Sequence, residues 1–158
     1  MVQLRIRKNK RIEVLRKVAL FHGCNAAELG KISSLTTEYR ATAGEVLTKR
    51  GQPGLEAFVI VEGSATATRK GRKIARLGPG SLFGELALLD GEKRTATVVA
   101  DGDMVLLVLS RREFSSLLAA APSVATKIIC ELGARLRRTD EMLDPIAERE
   151  RKVVPLSV

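Results

Sequence analysis

The 158-residue chain contains a single histidine, His22, and two cysteines, Cys24 and Cys130. One imidazole excludes a metal centre of clustered histidines, and two cysteines this far apart have neither metal-binding nor redox spacing. Each is expected to be a buried free thiol. No apolar run approaches the roughly 18 residues of a membrane span, and the opening MVQLRIRKNK lacks the apolar segment of a secretory signal. These absences lead to the expectation of a soluble, cytoplasmic chain of one domain. Hydrophobic residues make up 45% of it, enough for a core.

Acidic residues are scarce at one end only. Of the net charge of +9, most sits in residues 1–20, where seven lysines and arginines face only Glu13, whereas residues 21–110 hold eleven positive against ten negative side chains. The excess defines a basic N-terminal arm, residues 1–17. Such an arm suits nucleic acid, an anionic surface or an acidic partner, or is simply a solvated helix start. It has no aromatic residue, so base stacking contributes nothing. An electrostatic adaptor acting through this arm stays open as an alternative function.

Helical spacing of Ile12, Leu15, Val18 and Ala19 predicts a helix over Lys10–Leu20. Asn25, with Glu28 three residues on, predicts a capping box opening a second helix through Leu35. From Glu38 to Ser110 the texture changes to short β-rich pieces divided by Gly, Pro and Asp: Glu38–Thr42, Ala57–Val61, Ala65–Arg69, Lys73–Leu77, Thr95–Ala100 and Met104–Leu109. These predict a closed all-β unit, a barrel or jelly roll, rather than βαβ repeats. Helical patterning returns over Arg111–Ala120, and Pro122 fits the first turn of a long helix. In that helix Val124, Ile128, Leu132 and Leu136 repeat every four residues, with Ala125 and Ile129 alongside, and Pro145 is expected to end it.

Within the β unit, Gly78-Pro-Gly-Ser-Leu-Phe-Gly84 imitates a dinucleotide-binding fingerprint. Asp90-Gly91 turns the chain before the full helix which that motif needs, so the reading fails. A single helical turn beginning at Phe83-Gly84-Glu85 suits an anion instead. Gly84 lets a ligand approach the backbone, Arg94 offers a phosphate two parallel hydrogen bonds that Lys93 does not match, and Thr95 adds a hydroxyl. A carboxylate beside a phosphate needs another task, and for Glu85 a sugar hydroxyl supplies it. Phosphate and ribose within reach of one turn mean a small nucleotide.

Phe83-Gly-Glu-Leu-Ala-Leu-Leu-Asp-Gly-Glu-Lys-Arg94-Thr95-Ala-Thr-Val-Val-Ala100 resembles the phosphate-binding cassette of the cyclic nucleotide-binding domain family. Further matches are VALF (18–21), AGEVL (43–47), FVIVEG (58–63), LGPGSLFGELALL (77–89) and VLSRREF (108–114), so the resemblance runs from about Val18 to Asp140. It implies an α+β domain: an eight-stranded antiparallel β jelly roll, or double-stranded β-helix, with N-terminal helices and a long C-terminal helix. It further implies a cyclic purine mononucleotide as ligand, cAMP first because bacterial members mostly use it, with cGMP as the other choice. Arg94 would bind the exocyclic phosphate oxygens, Glu85 would accept from the ribose 2'-hydroxyl, and Gly84, Leu86 and Ala87 would offer backbone groups beside Phe83. Leu55 and Ser81 stand where the family more often has Asp, at turn positions and not at ligand contacts.

The resemblance also makes the helix after the barrel a lid over the base, with Arg135 and Thr139 as its candidate ligand contacts. The same helix is a candidate homodimer interface. Only 18 residues follow Asp140, too few for the helix-turn-helix domain of the family's transcription activators. The expected protein is a non-enzymatic receptor module at 18–140 with a charged tail at 141–158, acting on a downstream protein that the residues do not name. A jelly-roll enzyme of the cupin kind is excluded by the lone histidine.

Overall fold

The computed structural model describes residues 5–143. Helix α1 (Lys8–Lys17) leads through a 3-10 turn (Ala19–Phe21) into α2 (Ala26–Leu35). Eight strands follow: β1 (Thr37–Ala41), β2 (Val46–Thr48), β3 (Glu56–Glu62), β4 (Ala65–Arg69), β5 (Arg72–Leu77), β6 (Leu82–Phe83), β7 (Thr97–Ala100) and β8 (Met104–Ser110). The short helix α3 (Glu85–Asp90) lies between β6 and β7, and α4 (Arg111–Ala120) and α5 (Pro122–Met142) close the chain. The strands form two four-stranded sheets, β1-β8-β3-β6 and β2-β7-β4-β5, and every pairing within them is antiparallel. This is the jelly roll that the resemblance implies.

The elements differ from the sequence expectation where tertiary demands override local pattern. Strands β2 and β6, of three and two residues, are too short to show alternation. Strand β7 begins at Thr97 and not at Thr95, because the Arg94 backbone is engaged by the β2–β3 loop: its N–H donates to Gln52 O at 2.8 Å, and its carbonyl accepts from Gly51 N at 2.9 Å. Helix α1 ends at Lys17 because the backbone at Val18 is extended. That break re-aims the chain so that Leu20 and Phe21 are buried while Ala19 stays exposed.

Strand β3 is buried on both faces, from Ala57 to Val61. Its period-two alternation divides the core. Phe58 and Ile60 point into the barrel with Phe83, Val98 and Leu106, whereas Ala57, Val59 and Val61 face the helices and meet Leu15, Phe21, Leu29, Phe114, Val124 and Ile128. Fully burying side chains of this size is worth roughly 1.5–3 kcal/mol each, so the helices are part of the domain's core. The basic N-terminal stretch joins it too, since Val14 and Leu15 of α1 are buried and Arg11 donates to the Thr36 carbonyl at 3.2 Å.

Helix α5 buries only Val124 and Ile128 completely. Cys130 is therefore exposed, correcting the expectation of two buried thiols, while Cys24 is buried and desolvation pushes its thiol pKa up. The first half of α5 is tied down by one carboxylate. Glu28 completes the capping box of α2 by accepting from Asn25 N at 2.9 Å, and the same side chain accepts from Ser123 Oγ at 2.7 Å and pairs with Lys127 of α5. Asn25 N, Lys127 and Ser123 together hold its pKa down at about 2, against an ordinary value of 4.5. The unfolded chain thus binds the proton more readily, so this stabilisation is complete above pH 4.5 and is lost as the pH falls toward 2. Glu28→Gln is expected to flatten the acid limb of the stability curve across that window. Denaturant unfolding at stepped pH reads it, and acid limbs of equal slope in both proteins would refute the assignment.

Candidate functional site

The site is built around Gly84, at the junction of β6 and α3. Its φ of +81° lies in the left-handed region that favours glycine, and a Cβ there would stand 2.5 Å from Arg94 Nη1 and 3.1 Å from the Glu56 carbonyl. The missing side chain lets the guanidinium close on the backbone: Arg94 Nη1 donates to Gly84 O at 3.1 Å. The same head group lies 6.0 Å from the ring centroid of Phe58, which stacks on Phe83 with centroids 5.0 Å apart. Burial pulls the Arg94 pKa below its ordinary value, and Glu56 opposes that pull.

An open cavity of about 220 Å³ is lined by Gly84, Glu85, Arg94 and Thr95 on its polar side, with Ala67, Leu77, Leu86 and Val98 supplying apolar wall. Phe83 also borders it, although the residue is buried and its ring belongs to the barrel core. Six of the expected site residues, from β6, α3 and the α3–β7 loop, are thus brought together. Ala87 falls within α3. The turn before β6 is closed by Ser81, whose Oγ accepts from Gly78 N at 3.2 Å; the hydroxyl does there what a carboxylate would otherwise do.

The two candidates on α5 are placed differently. Arg135 reaches the site through Glu85, Nη1 to Oε1 at 3.2 Å, in an ion pair whose carboxylate side chain is 15% exposed. Thr139 is exposed, one turn further on, and its hydroxyl donates back to the Arg135 carbonyl at 3.1 Å. Three contributors went unread in the sequence. Gly51 and Gln52 grip the Arg94 backbone from 42–43 residues upstream, and Arg69, at the end of β4, lines the same cavity and donates from Nε to the Thr95 carbonyl at 3.2 Å. Strand registration alone brings Arg69 there, and no local pattern announces it.

Comparison with known proteins places the chain in a family of the same fold. Residues 38–121, more than half of the chain, match the family described as cyclic nucleotide-binding domain. The cyclic AMP receptor protein of Thermus thermophilus is 33% identical over 136 residues, covering 83% of this chain and 63% of its own. A cyclic nucleotide-gated potassium channel of Mesorhizobium japonicum is 35% identical over 113 residues, covering 72% of this chain and 31% of its own. The chain thus spans less than two thirds of the length of either curated relative. Among solved structures, the N-terminal domain of a transcriptional regulator from Streptomyces coelicolor A3(2) superposes with a TM-score of 0.75 at 31% identity, covering 81% of this chain and 95% of that one.

Proposed function

The chain belongs to the cyclic nucleotide-binding domain family, and on that premise we propose that it is a non-enzymatic cytoplasmic receptor for a cyclic purine mononucleotide, cAMP before cGMP. The observation that carries the reading is Arg94, a cation held at the wall of a cavity by a clamped backbone and a glycine cradle, with no carboxylate within ion-pair distance among the described residues. Its guanidinium meets the exocyclic phosphate oxygens in a charge-assisted pair of bonds. Thr95 and the backbone groups of Gly84, Leu86 and Ala87 complete the phosphate side, and the apolar wall takes the sugar and base. The name of the Thermus relative supports cAMP as the first choice.

Glu85 accepts from the ribose 2'-hydroxyl, and this gives the ligand its hold on α5. The carboxylate is already shared with Arg135, so occupation of the ribose position changes what Arg135 is bonded to. The first half of α5 is anchored by Val124, Ile128 and Lys127, and its second half meets the site through the Arg135–Glu85 ion pair. A ligand shifts such a helix only by the difference in its affinity for the two positions. Arg135 and Thr139, brought over the base, make that difference. The receptor unit is residues 18–140; the charged tail at 141–158 lies largely outside the described residues, as does the expected helix end at Pro145.

The test is calorimetric titration of the full chain with cAMP and cGMP side by side. One saturable site per chain with cAMP the tighter ligand is expected; no heat and no thermal shift with either nucleotide sinks the reading. The same helix is the proposed homodimer interface, through the part of its apolar pattern that does not lie on the domain. Val124 and Ile128 are spent on the domain's own core, whereas Ile129 and Leu136, seven residues apart, are 68% and 65% exposed. That spacing returns them to one helix face. Ile129→Glu with Leu136→Glu is expected to leave a monomer by sedimentation, and an unchanged dimer, or a monomeric parent chain, counts against the proposal.

A further inference from the structure

Outside the nucleotide cavity, and sharing its rim, lies a second and larger one of about 570 Å³ lined by Arg50, Gly51, Arg69, Arg94 and Thr95. Arg69 is tied to the cassette by its side chain, and Arg50 and Gly51 are tied to it by their backbone N–H groups. Arg69 Nε donates to the Thr95 carbonyl at 3.2 Å, Arg50 N donates to Thr97 Oγ1 at 3.1 Å, and Gly51 N holds the Arg94 carbonyl. Lys93 adds a fourth cation at the wall of the inner cavity. Among the described residues none of these four is in an ion pair, whereas Lys10, Arg76, Lys127 and Arg135 each have a carboxylate partner.

Two features make this more than a solvated basic edge. Arg69 stands directly opposite Arg72 in the β4–β5 register, and like charges placed directly across a ladder destabilise it. In addition, a cyclic phosphodiester carries one negative charge, which Arg94 answers alone. The remaining cations around the shared rim have no counter-charge in the proposed complex. Arginines lining one opening suit phosphate oxygens, which guanidinium groups bind bidentately.

We propose that the outer cavity, between the end of β4 and the β2–β3 loop, is a second phosphate subsite, held by Arg50 and Arg69 and filled together with the nucleotide site. The proposal rests on the cyclic nucleotide reading for its neighbour and not for its own chemistry. The second phosphate has two sources: the far phosphodiester of a cyclic dinucleotide seated with one phosphate on Arg94, or free phosphate bound beside a mononucleotide.

The full chain is titrated with inorganic phosphate, with and without saturating cAMP, and separately with cyclic di-AMP and cyclic di-GMP, in parallel with Arg50→Ala and Arg69→Ala. At least one of these probes is expected to bind the parent chain and to lose about tenfold or more in affinity in each variant. Arg50, which does not line the inner cavity, is expected to leave cAMP affinity within about threefold. Binding of phosphate identifies the free anion as the source; binding of a dinucleotide alone identifies the tethered one. The proposal is overturned if no probe binds, if both variants bind every probe as the parent does, or if Arg50→Ala weakens cAMP as much as it weakens the probe. Should neither cAMP nor cGMP bind while phosphate still separates parent from variants, the receptor reading fails and the second subsite stands.

Discussion

Arg94→Ala is expected to weaken cyclic nucleotide binding by about 100-fold or more while leaving the domain folded. Hydrogen bonds to charged groups are worth roughly 1.5–3 kcal/mol each, and two of them amount to about 3 kcal/mol at least, with about 1.4 kcal/mol per tenfold in affinity. Stability moves much less. The guanidinium is partly desolvated, as the downward pull on its pKa records, so its removal relieves a cost while the bond to the Gly84 carbonyl and the contact with Phe58 are lost. Arg94→Lys is expected to recover little, because one ammonium cannot reproduce a planar fork. Calorimetry beside thermal melts separates the two effects: a variant that melts normally and binds within tenfold of the parent would remove Arg94 from the phosphate site.

That contrast shows what the sequence made legible. Gly84, Glu85, Arg94 and Thr95 stand within twelve residues of one another, and their meeting at one cavity was readable because the partners are near in the chain. The long strands β3 and β8 were readable from apolar runs, and the α2 capping box from Asn25 and Glu28 at their three-residue spacing. What was hidden depends on registration between distant segments. No pattern near Arg94 says that Gly51 and Gln52 will grip its backbone, and that grip is why β7 starts two residues late. Likewise Glu28 reads as a cap, and only the packing of α2 on α5 shows it meeting Lys127 and Ser123, 99 and 95 residues away. The stripe on α5 was legible as periodic and illegible as to which side faces the domain. A 3.6-residue period marks a face, but contact with the 3-10 turn and α4 decides that Val124 and Ile128 turn inward while Ile129 and Leu136 do not.

Gly84→Ala is expected to damage binding and stability together, in a proportion that reveals how the cradle works. A left-handed backbone with a Cβ costs roughly 1–2 kcal/mol, and the Glu56 carbonyl at 3.1 Å adds a contact that backbone must yield to relieve. For a domain of this size about 1 kcal/mol lowers the midpoint of thermal unfolding by roughly 2–8 °C, so a loss of several degrees is expected. The binding loss has a different origin, because the new methyl would stand 2.5 Å from Arg94 Nη1 and drive the guanidinium from its position. The two losses are separable in the Arg94→Ala background. There the strain of alanine at residue 84 persists and the unfolding midpoint still falls, but no guanidinium remains to be displaced, so the further loss of affinity is expected to be far smaller than in the parent chain. Neighbouring residues that act through one another show such non-additivity, commonly 0.5–3 kcal/mol. Strictly additive losses of affinity would mean instead that alanine at residue 84 acts on the ligand independently of the guanidinium, and that Arg94 is not what the missing side chain makes room for.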